Sequence, residues 1–132
     1  MAQIPVGTRG EYTLLVTSDV AISFLGQEDA RVLGTPWMIA YMELTSRNTI
    51  KDLLEPGEDT VGTHVDVRHL AATPLGMKVR FSVEVIEVQD RRVRFRVEAR
   101  DEKDKVGEGT HERAIINVGK FAQRVQAKRT GG

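Results

Sequence analysis

A hydroxyl, a carboxylate and an imidazole stand at Thr35, Glu43 and His69, each in surroundings unusual for its type. Glu43 interrupts the apolar run TPWMIAYMEL. A carboxylate among apolar side chains costs several kcal/mol unless it is paired, hydrogen-bonded or protonated, which often marks a site. A rim position, or a pairing with an arginine such as Arg113, explains it equally well. Thr35 opens the same run at a helix start, where free amides and the positive dipole end can stabilise a developing oxyanion. Threonine is also a preferred N-cap residue, and most such threonines merely cap. His69 ends the alternating stretch TVGTHVDVRH at a strand-to-loop position, where a side chain can face a cleft. A lone histidine is more often structural. A base, a proton-carrying imidazole and an orienting hydroxyl are the parts of acid–base chemistry.

Other polar positions point less sharply. His64 lies five residues before His69, so alternation puts the two on opposite faces, and His111 is distant in sequence; no metal-ligand spacing results, and no metal or other cofactor is expected. Gly62 offers close backbone approach to a ligand, or an ordinary strand bulge. GTHER, residues 109–113, places His111 and Arg113 on one strand face and Thr110 with Glu112 on the other. Lys120, Arg124, Lys128 and Arg129 fit the phosphates of a nucleotide tail or, equally, a solvated terminus.

Composition narrows the function classes. The sequence has 132 residues, 40% of them apolar, enough for one domain with a real core. Lysine plus arginine equals aspartate plus glutamate at 19 each, so no long-range field gathers nucleic acid or an anionic membrane surface. The absence of cysteine excludes disulfides, thiolate metal sites and cysteine nucleophiles, and a cytoplasmic setting is expected. MAQIPVGTRGEYT lacks a basic-then-apolar signal, and no stretch approaches the roughly 18 apolar residues of a membrane helix, so the chain is expected to be soluble and unprocessed.

The elements that must position these residues follow from periodicity. GEYTLLVT, residues 10–17, reads as a first strand, and residues 18–34 hold no sustained period, fitting a short helix or a flap. From Thr35 the sequence predicts a helix, with Thr35 as N-cap, proline at the first helical position, and Pro56 and Gly57 closing it. Trp37 to Leu44 is apolar nearly all round, the mark of a helix buried in the middle of the fold. Period two then takes over. A strand begins near Thr60; Met77, Val79, Phe81, Val83 and Val85 share one face of the next; Val93, Phe95, Val97 and Ala99 share one face of another. A bulge and turn are expected within residues 86–92, a further strand over 106–118, and a helical turn or two in the basic tail. One buried helix followed by four long strands joined by hairpin turns describes an α+β hotdog fold, an antiparallel sheet wrapped round one central helix.

LEPGEDTVGTHVDVRHLAATPLG at 54–76 and GEGTHERAIINVGKFAQRVQAK at 107–128 resemble the fluoroacetyl-coenzyme A thioesterase family. The resemblance runs from about Thr35 to Lys128. It implies that Thr35 in GTPWM, Glu43 in YMEL and His69 in RHLAATP are the catalytic residues. It also implies that Gly62 turns its amide toward the acyl group, that Arg113 belongs to the substrate site, and that the chain works as a hotdog homodimer on an acyl-coenzyme A substrate. Between the first strand and Thr35 the chain is several residues shorter than the fluoroacetyl-specific enzyme, where that enzyme carries an aromatic lid. Phe24 is the only aromatic residue available there, so the resemblance implies a related hydrolase of short acyl-coenzyme A thioesters. Eight residues separate Thr35 from Glu43, about 12 Å along an ideal helix and a rotation of roughly 80°, so either the threonine folds back from a loop or the set combines two subunits. A hotdog hydratase or dehydratase and a non-catalytic acyl-coenzyme A binding module are the competing readings.

Overall fold

The computed structural model describes residues 3–131. The strands are β1 (Arg9–Leu15), β2 (Ala21–Phe24), β3 (Gln27–Leu33), β4 (Glu58–His69), β5 (Lys78–Gln89), β6 (Arg92–Arg100) and β7 (Lys105–Asn117). Helix α1 (Thr35–Ile50) separates β3 from β4, and α2 (Val118–Arg129) follows β7. Five strands form one antiparallel sheet in the order β1-β5-β6-β7-β4, and β2 with β3 makes a separate hairpin. Helix α1 packs across the large sheet, the hotdog arrangement expected from the strand pattern.

Alternation decides which face of the sheet meets the helix. Val79, Phe81, Val83 and Val85 of β5, with Val93, Phe95, Val97 and Ala99 of β6, are buried against Met38, Met42 and Ile50 of α1. The intervening residues are mostly charged, which leaves the outer face to water. The β5–β6 pairing slips between Val85 and Glu87, and Asp90 and Arg91 form a two-residue turn with Asp90 at φ 53°, as residues 86–92 predicted. Tyr41 stacks between Tyr12 and Phe81, with ring centroids 5.5 and 6.0 Å apart, and so ties α1 to β1 and β5.

Several elements differ from expectation. Residues 18–33 form a short 3₁₀ turn and the β2–β3 hairpin, turning at Leu25 and Gly26, which both have positive φ. The N-cap of α1 is Gly34, and Thr35 is already helical, so its hydroxyl is not spent on a cap. Helix α1 ends at Ile50 and a 3₁₀ turn carries the chain to Leu53. Trp37 and Ala40 are exposed and Leu44 is half-buried, so one side of the helix expected to be buried all round lies open in the single chain. The basic tail is a twelve-residue helix, α2, capped by the Asn117 side chain accepting from the Lys120 amide. Among the described residues no helix is long and apolar enough to cross a membrane.

Arg47 Nε and Nη2 donate to Asp59 Oδ1 and Oδ2 at 3.0 and 2.6 Å, clamping α1 to β4 one helical turn beyond Glu43. The bond from Arg47 holds the Asp59 carboxyl well below its ordinary 3.8, at about 2. A carboxyl with a depressed folded-state pKa stabilises the fold above its unfolded value and loses that contribution as pH falls through the folded one. Chemical denaturation should therefore show stability lost between about pH 4 and pH 2, and Asp59→Asn should be less stable than wild type at neutral pH while lacking that part of the acid loss.

Candidate active site

The first turn of α1 and the last residue of β4 bring together two residues 34 apart in sequence. Thr35 Oγ1 lies 2.7 Å from His69 Nδ1. Burial pulls the His69 pKa below its ordinary 6.5, with the Ala71 backbone acting in the opposite sense, so the imidazole is neutral at neutral pH. Its Nε2 is buried and has no hydrogen-bond partner among the described residues. A buried nitrogen without a partner is uncommon, because it keeps the desolvation cost and gains nothing in return. The two residues face a cleft of about 300 Å³ walled by Ile22 of β2, Val32 and Leu33 of β3, and Leu70 beyond β4. Phe24 stands at the tip of β2, half exposed, and does not line this cleft; Ile22, which no local pattern singles out, does.

Glu43 points elsewhere. Two turns along α1 and rotated round it, its carboxylate reaches Arg113 of β7, with Oε2 3.5 Å from Nη1. Arg113 is only 5% exposed, whereas the Glu43 side chain is 40% exposed. Burial draws the Arg113 pKa down and the Glu43 carboxylate holds it up, and a guanidinium stays charged under all ordinary conditions. Its Nε and Nη2 donate to the hydroxyl and the carbonyl of Thr60, at 2.7 and 2.9 Å, and Nη1 donates to His111 Nε2 at 3.1 Å. His111 and Thr60 were not singled out by sequence as partners of Arg113. Only the shared face of His111 and Arg113 in GTHER hinted at one of them.

Gly62 lies in the same cluster, paired with Arg113 just before the bulge that shifts the β4–β7 register at Thr63. A Cβ at Gly62 would stand 2.6 Å from Glu43 Oε2, 3.2 Å from His111 Cε1 and 3.4 Å from Arg113 Nη1. Only glycine lets the carboxylate lie against the β4 backbone. Bulges recur beside active sites because they re-aim the chain locally. One chain thus carries two polar clusters at different places on α1: Thr35 with His69, and Glu43 with Gly62 and Arg113.

Comparison with known proteins gives this geometry a context. The profile of the family described as Fluoroacetyl-CoA-specific thioesterase matches residues 16–119. The chain belongs to this family. It is 41% identical over 105 residues to the Fluoroacetyl-CoA thioesterase of Streptantibioticus cattleyicolor, spanning 80% of this chain and 76% of that protein. The crystal structure of fluoroacetyl-CoA thioesterase FlK superposes with a TM-score of 0.87 at 36% identity, covering 96% of this chain and 98% of that one. A Thermus thermophilus protein of the thioesterase superfamily superposes at 0.86 with 31% identity and complete coverage of both chains.

Within this fluoroacetyl-CoA thioesterase family member, the contact at Gly62 separates fold from site. The atom that a new Cβ meets first is the far end of the flexible Glu43 side chain, which can swing away. Gly62→Ala is expected to keep the melting temperature within a few degrees of wild type while lowering acyl-CoA hydrolysis about tenfold or more. Unchanged hydrolysis would mean that the position of the Glu43 carboxylate is immaterial.

Proposed function

We propose that this protein hydrolyses short acyl-CoA thioesters to the free acid and CoA, as a cytoplasmic homodimer, with Thr35, Glu43 and His69 as its catalytic residues. The observation that carries this reading is the half-buried, neutral His69, bonded to Thr35 on Nδ1 and with its buried Nε2 unpartnered among the described residues, beside a cleft walled by Ile22, Val32, Leu33 and Leu70. Membership of a thioesterase family supplies the reaction class. About 300 Å³ lies at the lower end of small-molecule sites, and branched aliphatic walls suit a short apolar acyl chain better than a charged or aromatic one.

Hydrolysis needs an activated water, a stabilised oxyanion and a leaving thiolate. Thr35 donates its hydroxyl proton to His69 Nδ1, which leaves the ring proton on Nε2, aimed at the thioester carbonyl. Glu43, set beside Arg113, takes a proton from water as the water oxygen attacks the carbonyl carbon. The oxyanion is held by the Nε2 proton and by backbone amides near Gly62. Collapse breaks the C–S bond and expels the CoA thiolate, which needs little acid assistance and takes up the proton held by Glu43. Direct attack by the Glu43 carboxylate, with water resolving the anhydride, uses the same groups.

Within one chain Glu43 stands about 12 Å along α1 from Thr35. A second copy resolves this. The open side of α1 presents Trp37, Ala40 and Leu44, and β4 is an edge strand with Val65 exposed. Such an edge invites strand pairing, and such a helix side invites burial. Two copies sharing these surfaces would set Thr35 and His69 of one subunit against Glu43, Gly62 and Arg113 of the other.

Thiol release from acetyl-, fluoroacetyl-, propionyl-, longer-chain and aryl-CoA, compared with Glu43→Ala and His69→Ala, tests the reaction; both folded variants should be inactive. Subunit exchange between these two inactive variants should restore about a quarter of wild-type activity, since half the dimers then hold one intact shared site. Binding of CoA without thiol release would instead identify a binding protein. Because hydrolysis requires neutral His69, kcat/KM should be level at neutral pH and lose its His69-dependent part only below pH 6.5; a midpoint at or above that value opposes this role.

A further inference from the structure

His111 lies outside the catalytic set, yet every polar atom of its ring is committed. It is 1% exposed, stacked at 6.2 Å on Phe95. Nδ1 lies 2.8 Å from the His64 carbonyl oxygen, and Nε2 lies 3.1 Å from Arg113 Nη1. The chemistry of the two partners fixes the proton. A carbonyl only accepts and a guanidinium only donates, so Nδ1 must carry the hydrogen and Nε2 must keep its lone pair. A ring with hydrogen on Nε2 could not take the Arg113 bond, and a doubly protonated ring would also face the guanidinium with a like charge.

This bond completes the fixation of Arg113. Thr60 takes Nε and Nη2, both on one side of the guanidinium, and His111 takes Nη1, the nitrogen that also faces Glu43. The bond to the His64 carbonyl grips β4 just past its bulge, and the ring Cε1 lies beneath Gly62. Glu43 therefore meets an arginine whose orientation is set by the ring of His111, on a backbone that the same ring anchors.

We propose that His111 is a positioning residue, held neutral in its Nδ1–H form, that orients Arg113 toward the Glu43 carboxylate and thereby sets the turnover rate. This rests on the reading of Glu43 and Arg113 as working parts of the hydrolase. His111 itself touches no substrate. Its two hydrogen bonds can be removed separately. An asparagine amide nitrogen stands near the place of Nδ1 and can still donate to the His64 carbonyl, whereas a glutamine amide oxygen reaches the place of Nε2 and can still accept from Arg113.

Full-length His111→Asn and His111→Gln, both checked for folding, are compared with wild type in acyl-CoA hydrolysis and in nitrogen NMR of the His111 ring and the Arg113 guanidinium. The expected result has three parts. The wild-type ring is protonated on Nδ1 alone. His111→Asn loses kcat about tenfold or more with little change in KM and frees the guanidinium to rotate, and His111→Gln keeps kcat within about threefold and keeps the guanidinium fixed. A wild-type ring protonated on Nε2 would overturn the proposal, and so would equal kcat losses that follow the folded fraction of each variant. If wild type releases no thiol from any substrate, the hydrolase reading fails separately, and the Arg113 signal in the two variants still decides whether His111 orients it.

Discussion

Helix α1 has to be buried against the sheet on one side while carrying Thr35 at its start and Glu43 in its middle, and the rest of the chain answers that constraint. The inward residues of β5 and β6 take Met38, Met42 and Ile50, and this contact fixes the rotation of the helix about its axis. Once the rotation is fixed, each polar side chain on α1 has one place to go. Thr35 meets the end of β4, and Glu43 meets the β4–β7 pair. The Arg47–Asp59 clamp stops the helix from sliding along β4. Packing of apolar surface supplies the large favourable term here, and the polar contacts decide the register.

Burying Arg113 is the costly step in this design. A guanidinium taken almost wholly out of water keeps its charge only if its N–H groups find acceptors and an anion stands near. Thr60 provides two acceptors, His111 a third, and Glu43 the negative charge. The outcome is an arginine with little rotational freedom, facing a carboxylate that is still part-exposed and so able to meet a ligand. A flexible surface pair would satisfy the same charges but would leave the carboxylate without a defined position.

The sheet was largely legible in the sequence because the side-chain period of a strand is visible residue by residue: Val79 through Val85 and Val93 through Ala99 name the buried face outright. The β2–β3 hairpin was not, since its turn uses Leu25 and Gly26 rather than the asparagine–glycine pair that signals such turns, and its strands are short. Residue type places the cap of α1 at Thr35, one residue late, because threonine is a preferred N-cap, while the chain uses the extended backbone of Gly34. The length of α2 was hidden by a sequence that buries nothing, so no apolar stripe against the sheet announces it. In the site, Thr35, Glu43, His69, Gly62 and Arg113 were named from residue type and resemblance. Their grouping into two clusters depends on contacts across 34 and 70 residues, which no local pattern encodes. On sequence alone His111, without metal-ligand spacing, shows only a strand face shared with Arg113 and looks structural.

Buried His111 and half-buried His69 carry opposite signatures, and the contrast bears on what each can do. Burial lowers both pKa values, so both rings are neutral at neutral pH. His111 has a partner on each nitrogen, and its tautomer follows from the chemistry of those partners. A ring so committed has nothing left to offer a ligand and can act only by holding its neighbours. His69 has a partner on Nδ1 alone, and that partner, a hydroxyl, can donate or accept, so its tautomer is free to change. A half-buried ring with a buried, open nitrogen and a switchable tautomer is poorly suited to stabilising a fold, because the open nitrogen forfeits its hydrogen bond to water. It is well suited to receiving a carbonyl oxygen and passing a proton. The direction of the pKa shift alone would make these two residues look alike; hydrogen-bond satisfaction separates the ring with both nitrogens committed from the ring with one nitrogen left open.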